Sequence, residues 1–419
     1  MKTKTAPILS LVVIGLLLVF SACEDQITNT YTYRTMLPVY LEMSDVRARL
    51  IAPEPPQPLD NPGKIYIYGD YLLINEPTKG IHILDNTNPS NPVNLSFIPI
   101  EGNIDLAVNN NMLYADNYAD LLVFDISNLR NIQLIKRVED VFASQYTQQT
   151  GQIVTFKDTV ITTESPTWGG RPGTGWLMLS DMSFRANFSA ASQSYGMGGS
   201  LARFTLMNAH LYAVDQSTLR VFDVKDAKDP KFIKPVDLGW GIETIFPFQN
   251  KLFIGSNRGM HIYDASTPSS PTRMSVFEHV LACDPVVVNE NHAFVTLRTG
   301  NTCWNGVNEL QVVDIKDPYK PVLVKAYTML NPHGLGLAGN YLYLAEGQHG
   351  LKSFNVSDVM KIDQNQLEFL KSMKSVDLIP GPKSLIVIGP DGVCQFDYSK
   401  PAQLKKLSCI QVKNPVIIN

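Results

Sequence analysis

The sequence predicts an all-β fold: a β-propeller of about eight four-stranded blades in a single ring, with seven the other count left open. Three observations predict it. An apolar strand ending in an acid recurs about every 45 residues. Prolines stand at fixed places after several of those acids, and a second short apolar strand, usually introduced by Asn or Gly, precedes most copies. Helix-period patterning is confined to 42–51 and 357–369.

The N-terminus comes first in chain order. Lys2 and Lys4 precede an apolar stretch over 6–20, the length of a signal-peptide core rather than of a spanning helix. It ends Phe20-Ser21-Ala22-Cys23, which resembles the lipobox of bacterial lipoproteins, although Phe20 stands where Leu is usual. That resemblance implies a signal peptide over 1–22 and lipidation of Cys23, with the cell envelope, foremost the outer membrane, as the expected location. Acyl chains then hold the protein to the membrane without a transmembrane helix. A tether and N-terminal extension occupies 23–62. Within it, 31–42 alternates like an extra strand near the ring's edge, and 52–62 carries five prolines as a stiff lead-in. The propeller is expected over 63–419.

The acid-ended strand first reads Ile81-His82-Ile83-Leu84-Asp85. Copies end at Asp125, Asp223, Asp264 and Asp314, and weaker ones at Asp181, Asn355 and Asp397. Pro89/Pro92, Pro268/Pro271 and Pro318/Pro321 lie four and seven places beyond their acids. The preceding strand is typified by Leu113-Tyr114-Ala115 and Leu342-Tyr343-Leu344. An acid at a strand end can accept bonds from the following N–H groups, and proline fixes the loop after it, so the recurring Asp reads as turn chemistry rather than calcium binding or catalysis. Gly334-Leu335-Gly336-Leu337-Ala338-Gly339 fits a dinucleotide fingerprint, but a Tyr-rich strand follows where a helix is needed.

These strands resemble the LVIVD-repeat family, with Val312-Val313-Asp314 and Val123-Phe124-Asp125 the nearest copies. The resemblance covers about residues 63–412 and implies a β-propeller, commonly on secreted or lipidated bacterial proteins. It implies no single activity.

Composition narrows the rest. The 419 residues are 44% apolar, too apolar for disorder, and 35 basic against 39 acidic residues form no Lys/Arg cluster suited to nucleic acid. Four cysteines remain beyond Cys23, which suits an oxidising compartment. Cys394 and Cys409 fall opposite each other in a predicted hairpin, and Cys283 with Cys303 is the second candidate pair. The alternative is buried free thiols. No metal or cofactor spacing is present among the histidines and cysteines.

With strands labelled a to d from the axis outward, the a–b and c–d turns share one face. The b–c loops and d–a crossovers share the other. Long insertions at 164–175 and 298–308 read as b–c loops, so Trp168, Arg171, Trp176, Arg298 and Trp304 gather on that second face, with Trp240, Arg258 and His349. Trp and Arg on loops are the usual makings of a binding hot spot, or they pin the loops that carry them. Lys64, Asp105, Glu243, Asp284, His333 and Lys383 align at the starts of innermost strands, around the channel mouth. The expected function is a binding or scaffold module that presents its Trp/Arg face to an envelope protein or glycan. The alternative is a channel-mouth hydrolase or lyase acting on polysaccharide, for which Asp105, Glu243 and Asp284 would have to converge.

Overall fold

The computed structural model describes residues 28–142, 153–166, 197–278, 285–299 and 307–413. The chain forms two compact units, one holding 1–39 and 155–180, the other 40–154 and 181–419. In the first, Thr28–Leu41 pairs with Ile153–Pro166 in a two-stranded sheet. The extra strand expected over 31–42 therefore exists, and its partner is this second long strand.

The second unit carries seven antiparallel blades. Their innermost strands are Ile65–Tyr68, Leu106–Asn109, Phe204–Met207, Ile242–Phe248, Val286–Val288, Leu335–Ala338 and Asp377–Pro380, for blades 1 to 7 in order. Each acid-ended strand is the third of its blade, as in Gly80–Asp85 and Glu309–Asp314. Alternation along these strands buries side chains on both sheet faces, because every blade is covered by two neighbours. Seven blades rather than eight follow from the stretch after Val138. The third copy, ending at Asp181, lies outside the described residues, and Ile153–Pro166 joins no blade. One apolar strand ending in an acid is too short a signal to separate a blade from any other strand. Of the two helix-like stretches, the first forms the helix Met43–Ala48, while the second holds a loop and the outer strand Gln366–Leu370.

The recurring acids are turn formers. In all seven blades the side-chain oxygen at the strand end accepts the N–H two residues on, at 2.8–3.0 Å: Thr87 to Asp85, Ser127 to Asp125, Lys225 to Asp223, Ser266 to Asp264, Lys316 to Asp314, Ser357 to Asn355 and Ser399 to Asp397. The loop so shaped aims one carbonyl, four residues past the acid, at the preceding blade. Tyr114 donates to Ala227 O, Tyr212 to Pro268 O, Ser275 to Pro318 O, Tyr327 to Val359 O, Ser353 to Pro401 O and Ser408 to Pro89 O, at 2.5–2.8 Å. Six of the seven joints carry this bond. At the joint of blades 1 and 2, Tyr68 Oη reaches Asn111 Oδ1 at 2.7 Å instead.

The four strands of blade 1 counted from the outside, and all four of blade 7, each come from one contiguous stretch of chain. Ring closure rests on an amide pair between Asn86 and Gln395, on the Lys413 N–H to Leu59 O bond at 2.8 Å, and on a shared apolar cluster that includes Leu59, Ile65, Ile379 and Ile386. Cys394 and Cys409 are disulfide-bonded across the last two strands of blade 7, while Cys283 and Cys303 lie outside the described residues.

Tyr212→Phe should cost about 1 kcal/mol in urea unfolding, the worth of one buried hydroxyl bond. Tyr343, whose hydroxyl is buried without a hydrogen-bond partner among the described residues, is the control, and Tyr343→Phe should cost nothing. Equal losses would show that the inter-blade bond is not what the Tyr212 hydroxyl contributes.

Candidate functional site

On the b–c face, acids at the ends of second strands capture the backbone entering the innermost strands. Asp116 Oδ1 accepts the N–H groups of Ile104 and Asp105 at 2.8 and 2.9 Å, and Glu346 Oε2 those of Leu330 and Asn331 at 3.0 and 2.7 Å. Glu76 Oε1 takes those of Asp60 and Asn61. All three carboxylates are buried. The sequence carries this signal, since the second strands run into an acid (Ala115-Asp116, Ala345-Glu346) just beyond the apolar triplets that mark them.

The same face is partly covered by the N-terminal part of this unit. Met43 and Val46 of the helix are buried beside Tyr118 and Ala119. Arg47 holds Asp120 through two bonds of 2.9 and 2.7 Å, and reaches Asp140 at 2.8 Å. Glu54 pairs with Phe97, and Leu59 enters the blade 1–blade 7 core. Blades 1 and 2 are thus capped, and Tyr118 is buried.

At the channel's b–c end lies a buried ionic cluster. Lys64 Nζ meets Asp105 Oδ2 at 2.8 Å, with both side chains essentially inaccessible. The same oxygen accepts the N–H groups of Arg203 and Phe204, and Asp105 Oδ1 accepts that of Leu106 at 2.7 Å. Ser200 Oγ donates to Asp377 Oδ1 at 3.1 Å and accepts the Leu335 N–H at 2.9 Å. Burial pushes the Lys64 ammonium down to about 8, the Asp116 carboxyl up to about 6 and the Asp377 carboxyl up to about 8. Ser200, Leu201 and Ala202 are buried here, and the Ile245 N–H donates to Ala202 O at 2.8 Å. Toward the a–b turns the channel widens into a cavity of about 630 Å³, lined by the inner strands of blades 3 to 7 and by Gly198, Gly199 and Ser200.

The positions expected at the channel mouth therefore divide. Lys64 and Asp105 come together, but as a buried ion pair whose carboxylate already accepts four hydrogen bonds, not as a group open to substrate. His333 is buried before the blade 6 inner strand, and Glu243 is half-buried in that of blade 4. Lys383 is misplaced by the repeat alignment. It sits in the a–b turn of blade 7, on the opposite face, bonded to Asp70 Oδ1 at 2.5 Å and Thr87 O at 3.1 Å. The residue that does begin the blade 7 inner strand is Asp377. Asp284 lies outside the described residues.

Of the loop residues, Trp240 is 73% exposed on the crossover between blades 3 and 4, flanked by Gly239 and Gly241 at φ +83° and +94°. Arg258 is exposed in the neighbouring b–c turn, which the Asn257 N–H to Gly241 O bond ties to that crossover at 2.8 Å. His349 is exposed in the b–c turn of blade 6, and Arg298 is buried at the base of the blade 5 insertion, which Asn308 closes through the Thr299 N–H and Leu330 O. Cys23, Trp168, Arg171, Trp176 and Trp304 lie outside the described residues. The 164–175 insertion begins at the end of Ile153–Pro166, which joins no blade, and 167–175 lie outside the described residues. Among the described residues no cluster of three His, Cys, Asp or Glu is arranged for a metal ion.

The buried acids set a pH dependence. Between its ordinary value of about 4 and the folded value, Asp377 holds a proton that the unfolded chain has lost, so stability falls as pH rises through that window. Asp116 adds to the fall up to about 6, while Lys64 works the other way only above about 8. Thermal melts should give a lower Tm at about pH 8 than at about pH 5. Asp377→Asn keeps an oxygen for Ser200 and should flatten the profile; parallel profiles for the two proteins would refute this assignment.

The LVIVD repeat family matches residues 62–97, 104–140 and 282–329. Among curated proteins, none matches the chain. The structure is similar to that of a protein from Lactobacillus plantarum (12% identity, TM-score 0.53, 84% of this chain and 97% of that one). It is also similar to a functionally unknown protein from Desulfotomaculum acetoxidans DSM 771 (11%, 0.51, 84% and 95%) and to Saccharomyces cerevisiae Sqt1 (8%, 0.52, 88% and 89%). At such identities the likeness speaks for the fold alone. With seven four-stranded blades on one side and three matched repeats on the other, the chain is a seven-bladed β-propeller that carries LVIVD repeats.

Proposed function

We propose that the protein is a lipid-anchored binding or scaffold module of the bacterial envelope, and that it engages a protein or glycan through the b–c face over blades 3 to 6. The observation that carries this reading is Trp240, a large aromatic left 73% exposed on a glycine-flanked crossover, beside exposed Arg258. A Trp so placed contributes little to the fold and much to a desolvated interface. The division of labour between faces supports it. The c–d loops are consumed in holding blades together, and blades 1 and 2 are capped by the helix and lead-in. The polysaccharide hydrolase reading gains little from Asp105, which is buried, ion-paired to Lys64 and already accepts three backbone N–H groups.

Two outcomes test this. Trp240→Ala with Arg258→Ala should leave the melting temperature unchanged and abolish capture, by residues 24–419, of a partner from the source organism's solubilised envelope. Capture equal to that of the unaltered protein would move the binding surface elsewhere. Cys23→Ser should shift the protein from the membrane to the soluble fraction; retention in membranes would rule out the lipid anchor.

A further inference from the structure

The channel cavity opens on the face opposite Trp240, between the a–b turns, and is independent of the reading above. Its walls are sheet edges. Each innermost strand pairs with its second strand along one side and turns the other side to the axis. In blade 1 that inner edge is already occupied: Met197–Gly198 runs antiparallel along it, pairing with Ile67 and Tyr66 as a fifth strand. In blades 3, 4 and 6 the inward direction is shown by three backbone donors, with Phe204 N–H to Asp105, Ile245 N–H to Ala202 O and Leu335 N–H to Ser200 Oγ. Backbone groups two residues along a strand point the same way. The next inward positions are therefore Leu206, Pro247 and Leu337, and all three line the cavity. Leu206 and Leu337 bring an N–H and a C=O each to the axis, and among the described residues no strand pairs with these edges at that level.

We propose that this cup takes an extended, uncharged peptide segment as an added β-strand on the inner edge of blade 3 or blade 6. The chain does this to itself on blade 1, which shows that the lumen accommodates a strand. Glycines at 198, 199 and 339 keep part of the lining free of side chains, so a second backbone can approach. Charge selects the occupant's class. No Lys or Arg lines the cup, and its rim carries the amides of Asn208, Gln249, Asn250 and Asn289 with one carboxylate, Glu290. Anionic ligands find no counter-charge there, whereas amides can donate to and accept from a peptide backbone. The inner strands run three to seven residues, so the added segment is about four residues long at roughly 3.4 Å each. Main-chain bonds would supply its affinity, and the apolar walls its preference for small or β-branched side chains.

The test is a selection of linear peptides from a phage-displayed library on residues 24–419. Titration then follows with the selected peptide and with its analogue N-methylated at alternate residues. Uncharged sequences should be enriched. N-methylation at the bonding residues should weaken binding at least about tenfold, the worth of one to two backbone hydrogen bonds. Leu337→Trp, which fills the cup, should weaken it as much while melting like the unaltered protein. The N-methyl comparison needs only the unaltered protein, so it decides even where that variant fails to fold. No enrichment overturns the proposal, as does a peptide that tolerates N-methylation at every position. A ligand displaced only by Trp240→Ala would belong to the other face and overturn it too.

Discussion

The carboxylate of Asp105 is the point on which the ring's geometry turns. It sits in blade 2, neutralises Lys64 of blade 1 and accepts the N–H groups with which the chain re-enters the ring at blade 3. Blade 2 ends at Val138 and blade 3 begins at Phe204, and 155–180 between them belong to the other unit, so no short crossover holds that joint. A charge buried this deeply is tolerable because an ammonium and three backbone N–H groups face it; stripping one partner from such a pair costs about 3–5 kcal/mol. The segment it anchors goes on to fill the channel's b–c end through Ser200 and Ala202. The ionic pair, the excursion from the ring and the depth of the cup are thus consequences of one another.

Much of the fold was legible because turn chemistry writes itself in local sequence. Asp followed by proline at four and seven places specifies a loop whatever surrounds it, and the structure uses the acid at Asp85, Asp264 and Asp314 for that purpose. What local sequence could not convey was the partner. The +4 carbonyl receives a bond from a tyrosine on a second strand at one joint, a serine on an outer strand at another and Ser353 on a third strand at a further one. Only the acceptor is periodic, because it is backbone, so comparing repeats finds the loop and misses the bond.

The candidate site was less legible for a related reason. Repeat alignment locates a residue along a strand but not whether its charge is spent. Asp105 aligns with the channel mouth and is buried against Lys64; Lys383 aligns there and belongs to a turn on the other face. The blade 7 motif lacks the Asn-bearing turn that marks the a–b hairpins of blades 2 to 6, and Gly381-Pro382-Lys383-Ser384 takes its place. Trp240, by contrast, lies between blades 3 and 4 with glycines on both sides of it that announce a crossover, and nothing in the repeat requires an aromatic there.

No strand is borrowed across the joint where the ring closes. Blade 1 begins just after Leu59, blade 7 ends just before Lys413, and these two residues are bonded to each other. The seam is built from the same contacts as the internal joints, down to the serine that bonds Pro89. Where the chain starts is then an accident of its history rather than a requirement of its geometry: a circular permutant with the ends near 59 and 413 joined and new ends opened at an exposed crossover would meet the same neighbours in the same order.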